Sequence, residues 1–233
     1  MHKVAFTLVL PVFNEASRLE AAVDAARKAL RGVNFEIIIA EDGSTDGTAA
    51  IAAGLARRLP FVRHLHYGEK LGRGKALSNA FASARGSLVA YMDVDLATHP
   101  RHLKEMITAL KDNDVVTGSR YLSASSTRRS SLRLLLSKGF NLLIQLLLGS
   151  RVSDHQCGFK GFRREVAISL CRRAREAHWF WDTEVLVLAQ RQGLRVKEIP
   201  VEWREGKETK VNFKRDVLEM AAAALRMRLR EWG

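Results

Sequence analysis

Phe6-Thr7-Leu8-Val9-Leu10-Pro11-Val12-Phe13-Asn14-Glu15 is a short apolar run that stops at Pro11 and Asn14. A fully buried parallel strand reads this way when it gives way to a loop. A helix over roughly residues 16–30 is expected next, because Asn14 or Ser17 stands ahead of a Leu19, Val23, Ala26 and Leu30 face spaced by three and four. The pattern then repeats. Residues 35–40 form a second β-branched run, residues 44–58 a helix capped by Ser44 or Asp46, and residues 62–66 a third strand. A glycine-rich segment at 68–74 leads into a helix over about 75–84, and a strand over 87–92 ends in Asp93. Such alternation predicts a mainly parallel, Rossmann-like α/β sheet flanked by helices, with a further strand at 114–117.

Ligands of such sheets sit beyond the carboxyl ends of the strands. The residues there are Asn14 and Glu15, Glu41 and Asp42, and Asp93 and Asp95, so polar groups collect on one rim. After the 114–117 strand the alternation weakens. Arg120, Arg128, Arg129, Arg133, Lys138 and Arg151 then follow with no acid among them. This shift marks a change of task within one domain, residues 1–119 forming one half and 120–233 the other.

Composition narrows the class. A chain of 233 residues with 47% hydrophobic content can bury an ordinary core, which sets aside disordered and fibrous proteins. Two cysteines, Cys157 and Cys171, make neither a disulfide framework nor a paired zinc motif, and buried thiols in a reducing interior are expected. A net charge of +13 draws the chain toward polyanions without choosing among nucleic acid, anionic lipid and phosphorylated substrates. Residues 6–12 are too short for a signal peptide. The most apolar stretch, 132–148, is interrupted by Arg133, Ser137, Lys138, Asn141 and Gln145, so no transmembrane segment is predicted.

Asp93-Val94-Asp95 places two hard oxygen ligands two residues apart at the ligand end of the sheet. That donor set suits Mg²⁺ or Mn²⁺ bridging a diphosphate, the alternative being a solvated turn. Asp42, in Glu41-Asp42-Gly43-Ser44, is placed to accept hydrogen bonds from a ribose or base, or else to cap a helix. The 68–75 segment has a near-Walker look, but Glu69 stands where the first glycine belongs and Ala76 replaces Ser or Thr, which excludes a P-loop. Gly74 and Lys75 still offer close backbone approach to a nucleotide. Arg120, after Gly118-Ser119, can clamp phosphate oxygens or simply lie exposed. The histidines lack H-E-x-x-H or similar spacing, and none is assigned to metal.

Arg133, Ser137, Asn141 and Gln145 recur every four positions, giving a helix with one polar stripe and apolar flanks. Such a helix is either deeply buried or set against lipid. Near the end of the chain Leu218, Ala222, Leu225, Leu229 and Trp232 form a second stripe beside Arg226, Arg228 and Arg230. An interfacial helix has this composition, and so does one docked on the core. Residues 154–160 read as a loop mixing acid, amide and base. Trp179-Phe180-Trp181-Asp182-Thr183-Glu184 sets aromatics beside two acids, suited to stacking on a sugar, lining a lipid groove or filling a core.

Taken together, Pro11 to Glu15, Glu41 to Thr48, Asp93-Val94-Asp95 and Gly118-Ser119-Arg120 resemble glycosyltransferase family 2. Leu96-Ala97-Thr98, the 154–160 segment and the Asp182/Glu184 pair are similar to those of polyprenyl-phosphate hexosyltransferases, particularly the dolichyl-phosphate glucosyltransferase branch. The resemblance covers nearly the whole chain. It implies a GT-A fold, an inverting single displacement and a divalent metal on the nucleotide diphosphate. Carried over, Pro11, Val12, Asn14, Glu15, Asp42, Gly74, Lys75, Asp93 and Val94 would hold the nucleotide sugar, and Asp93 and Asp95 the metal. Arg120, Arg133, Ser137, Arg204, Lys207 and Lys210 would face the donor or acceptor phosphates, with Asp154 orienting groups or acting as a base.

Mannosyl relatives place Gln two residues after the second aspartate; Ala97 stands there, which points to UDP-glucose rather than GDP-mannose as donor. The implied acceptor is a polyprenyl or dolichyl phosphate. The implied setting is the anionic cytoplasmic face of a membrane, reached directly or through an anchoring protein. Two other classes share part of this composition. A sugar-nucleotidyltransferase would show a glycine-rich first loop, where this chain has Pro11 to Glu15. A non-catalytic basic binder of RNA or membrane leaves the acids at the strand ends unexplained, since they repel a phosphate backbone. No nucleic-acid partner is expected.

Overall fold

The alternating runs fold as strands and helices in chain order, in a computed structural model that describes residues 4–128, 131–205 and 213–230. The first half comprises β1 (Phe6–Val12), α1 (Ala16–Ala29), β2 (Phe35–Asp42), α2 (Thr48–Arg58), β3 (Val62–Tyr67), α3 (Arg73–Ser83) and β4 (Leu88–Met92). The second comprises α4 (His102–Ala109), β5 (Val115–Ser119), β6 (Ser126–Arg128), α5 (Ser131–Leu148), β7 (Phe159–Arg163), α6 (Arg164–Arg173), α7 (Trp181–Arg191), β8 (Val196–Pro200), β9 (Glu202–Arg204) and α8 (Phe213–Leu229). Lys207, Lys210 and Trp232 lie outside the described residues.

The main sheet runs β3-β2-β1-β4-β7-β5-β8. All neighbours are parallel except β7, which is antiparallel to both β4 and β5. β7 was not expected, since 154–160 reads as a loop. Its Gly161 and Lys160 break the apolar pattern, and only insertion between β4 and β5 reveals the strand. Strand alternation divides the core. Phe6, Leu8 and Leu10 pack with Leu19, Val23 and Leu103 on one face, while Val9, Ile38 and Tyr91 pack with Leu77, Phe81 and Trp181 on the other.

Helix α2 begins at Thr48, four residues later than expected, because Gly47 at its N-cap adopts a left-handed φ of 86°. Asp46 still serves the helix end: its Oδ1 accepts the Thr48 N–H at 3.1 Å and its Oδ2 the Ala16 N–H at 3.2 Å. One acid therefore joins the starts of α1 and α2. Asn14, at φ 53°, completes the seam, its N–H donating to Ser44 Oγ at 3.0 Å and its Oδ1 accepting Thr45 N–H at 2.8 Å.

The polar stripe of α5 faces inward. Asn141 Oδ1 accepts from the His155 backbone N–H at 2.9 Å, and Gln145 Nε2 donates to the Val152 carbonyl at 2.9 Å. With its polar side held this way, the helix turns Leu135, Leu136, Leu142, Leu143 and Leu146 outward. On α8, Ala223, Ala224 and Met227 join the Ile144 and Phe180 cluster while Leu218, Leu225 and Leu229 are exposed. Among the described residues, these leucines are the exposed large hydrophobic side chains. No helix among the described residues is long and apolar enough to cross a membrane.

Candidate active site

The carboxyl ends of β1, β2 and β4 form one rim. β4 ends at Met92, so the aspartate pair sits in the turn beyond it rather than alternating along a strand. Asp95 Oδ1 accepts the Ala97 N–H at 3.0 Å, and Leu96 takes a φ of 55°, a left-handed bend that few side chains adopt. Desolvation and the neighbouring Asp93 charge push the Asp95 carboxyl above the usual range, with Glu15 adding to the effect and Arg18 opposing it. A carboxylate made costlier to ionise by an adjacent one makes a ready cation site. A cradle supports it: a Cβ at Gly158 would overlap the Asp93 carboxylate. The hard-oxygen donors and this clearance fit a divalent ion.

Arg73, absent from the residues singled out in the sequence, meets the first aspartate of the pair. Its Nη2 pairs with Asp93 Oδ1 at 2.7 Å and its Nε lies 3.5 Å from Asp182 Oδ2. The guanidinium sits 5.2 Å from the Tyr91 ring centroid and 5.5 Å from that of Trp179. Behind it, Lys160 Nζ donates to Asp182 Oδ1 at 3.0 Å and to the Cys157 carbonyl at 2.6 Å, and Tyr91 Oη also donates to Asp182. Burial holds the Lys160 ammonium down at about 8 and the Asp182 carboxyl up at about 6. The available signal was a cation between Gly72 and Gly74 at a helix start.

Asp42 is buried and accepts the Leu71 N–H at 2.7 Å and the Gly72 N–H at 3.1 Å, so it tethers the glycine-rich loop. Gly74 is buried against Trp181, where a Cβ would lie 2.5 Å from Cγ, and its N–H donates to the Ala177 carbonyl at 2.7 Å. Its role here is packing, while Lys75 beside it is exposed. Pro11 and Glu15 are half-buried, and Val12 and Val94 are buried beneath the rim.

Arg120 is not an exposed clamp. Its Nε and Nη2 each donate to Asp154 at 2.7 Å, and its backbone N–H donates to the same carboxylate at 3.0 Å. The Arg120 charge holds the fully buried Asp154 below the usual carboxylate range despite its desolvation. A carboxylate so held is a poor base and a good orienting group. Arg120 also lies over the Tyr121 and Trp203 rings, and Tyr121 Oη meets Ser137 Oγ at 2.5 Å. Arg133 pairs with Glu205 at 2.5 Å and Arg204 with Glu202 at 2.9 Å, so each guanidinium already has a carboxylate partner. On the far side of β2, the structure gathers Glu41, His64 and His66, a cluster that no spacing rule flagged.

A mainly parallel sheet with one antiparallel insertion, carrying an aspartate pair past a central strand, is the architecture of a GT-A glycosyltransferase. The sequence profile described as Glycosyl transferase family 2 matches residues 7–171. The chain belongs to this family. It is 43% identical over 229 residues to glycosyltransferase AglD of Haloferax volcanii, covering 96% of this chain but 37% of that protein. It is 34% identical to a dolichyl-phosphate beta-glucosyltransferase of Trichomonas vaginalis, covering 91% of this chain and 67% of that one. Among solved structures, glucosyl-3-phosphoglycerate synthase of Mycobacterium tuberculosis, in complex with Mn²⁺, UDP and glucosyl-3-phosphoglycerate, matches with a TM-score of 0.70 at 22% identity. That match covers 97% of this chain and 80% of the synthase.

Proposed function

We propose that this chain transfers glucose, with inversion, from UDP-glucose to a polyprenyl (dolichyl) phosphate at a membrane surface. The observation that carries the reading is the Asp93/Asp95 pair set past β4, cleared by Gly158 and backed by Arg73. The relatives named dolichyl-phosphate beta-glucosyltransferases support the acceptor and sugar. Ala97, in place of the Gln of mannosyl relatives, favours UDP-glucose over GDP-mannose.

In this reading residues 1–119 hold the donor. Pro11, Asn14 and Glu15 line the nucleotide, Val12 and Val94 support them from beneath, Asp42 holds the glycine-rich loop beside it, and Lys75 reaches its phosphates. Asp93 and Asp95 would hold Mg²⁺ or Mn²⁺, which supplies Lewis-acid stabilisation to the diphosphate. Residues 120–233 receive the acceptor: Asp154 fixes the Arg120 guanidinium, and Arg133, Ser137 and Arg204 border its phosphate. An acceptor phosphate oxygen bonds to the anomeric carbon as the bond to the diphosphate breaks, the electron pair leaving with UDP. The phosphate is already anionic near neutral pH, so no general base is required. The outward leucines of α5 and α8, in a chain of net charge +13, meet an anionic cytoplasmic leaflet directly, or else an anchoring protein.

The test offers labelled UDP-glucose and GDP-mannose with polyprenyl phosphate. Transfer from UDP-glucose is expected, and Asp95→Ala should lower turnover by on the order of 10²-fold or more. An Asp95→Ala protein fully active in EDTA ends the proposal.

A further inference from the structure

β3 is the edge strand of the sheet, and its His64 and His66, two residues apart, share a face. In the β2–β3 register Glu41 stands opposite His66. One ligand atom from each of Glu41, His64 and His66 lies within 4.8 Å of the others. We infer that these three side chains form a zinc site, separate from the aspartate pair beyond β4.

Three features support the assignment. His64 Nε2 is buried without a hydrogen-bond partner, 3.9 Å from Glu41 Oε2. A buried polar atom left unpaired is unfavourable, and a bound cation would satisfy it. Glu41 is fully buried and already oriented, its Oε1 accepting the Ser44 N–H while Oε2 faces both histidines, the outer-sphere support that metal-ligating carboxylates use. His66 is 55% exposed, which leaves the ion a way in, and its Nδ1 already meets Glu41 Oε2.

The chemistry selects the ion. Ligand atoms around tetrahedral zinc stand about 3.4 Å apart, a separation that the 3.9 Å from His64 Nε2 to Glu41 Oε2 approaches. Two imidazoles and a carboxylate favour Zn²⁺ over Mg²⁺, which prefers oxygen donors and keeps its waters. Zinc here would staple the edge strand to β2 and, through Glu41, stiffen the turn carrying Asp42 and Ser44. The inference is independent of the transfer reaction.

The test is calorimetric titration of the full chain with Zn²⁺ in excess Mg²⁺, with Co²⁺ substitution read by visible absorption and thermal melts run alongside. The wild type should bind Zn²⁺, give the intense absorption of tetrahedral Co²⁺ and melt higher with zinc present. His66→Ala, at an exposed position, should keep the fold and weaken binding by about 10–100-fold or more. Asp95→Asn should change zinc affinity by less than about twofold. Equal affinity in His66→Ala and wild type, loss of binding in Asp95→Asn, or displacement of zinc by Mg²⁺ would each overturn the site.

Discussion

The Asp93 carboxylate fills the place a side chain at Gly158 would take: this residue, just ahead of β7, has no Cβ where the carboxylate turns in, and the Asp93 N–H donates to the Gly158 carbonyl at 3.2 Å. The antiparallel insertion of β7 beside β4 thus sets the position of the first aspartate. Gly158→Ala forces the carboxylate aside. Turnover should fall by on the order of 10²-fold, with stability lowered by about 1–3 kcal/mol, the range for overpacking. Steady-state kinetics beside a denaturant melt check this, and wild-type turnover in a folded variant would refute the coupling.

Asp154 and Arg120 form a buried pair joined by side-chain and backbone hydrogen bonds. Asp154→Asn strands the guanidinium, and the expected loss is about 3–5 kcal/mol. The folded Asp154 titrates below its ordinary value. Its contribution is therefore complete above the unfolded carboxylate pKa of about 3.9 and disappears as pH falls through the lowered folded value. Denaturant melts of wild type and variant should differ most at neutral pH and converge in acid; a constant gap would count against the pair.

His155 is buried between Asn141 Oδ1 at 2.7 Å and Ser150 Oγ at 2.8 Å, and burial lowers its imidazole to about 4. The unfolded chain binds a proton there at a pH where the folded chain does not. The stability is fully present above the ordinary value of 6.5 and is lost as pH falls toward 4. Moving from about pH 7.5 to about pH 5 should remove about 2 kcal/mol through this group alone. His155→Gln should flatten that part of the pH profile, and an unchanged slope would reassign it.

Leu146 is 78% exposed and Leu225 51%, so the double change Leu146→Glu with Leu225→Glu removes little from the core. If these leucines enter lipid, each contributes about 1.5–3 kcal/mol to attachment, and the pair should lower binding to anionic vesicles by about 100-fold or more. The melting temperature should stay nearly unchanged. Undiminished co-sedimentation would show that this face is not buried in the bilayer surface and would direct the search to a protein partner.

The βαβαβ opening was readable because each element carries its own period: β-branched runs for strands, three-and-four spacing for α1, glycine at the breaks. α2 was read four residues too early, since Ser44 and Asp46 look like caps while the left-handed Gly47 delays the helix. Asp42 and Arg120 were singled out by position. Their bonds to Leu71, Gly72 and Asp154 join segments far apart in the chain, which no local pattern announces.

From sequence alone came the alternation, the acidic rim and the family motifs, all of which arise from neighbours along the chain. Only folding decided that the polar stripe of α5 turns inward and its leucines outward, that Arg73 reaches Asp93, and that Glu41 meets His64 and His66. Those outcomes depend on which strand lies beside which and on which helix face finds hydrogen-bond partners, and contacts between distant segments are settled by packing rather than by local spacing.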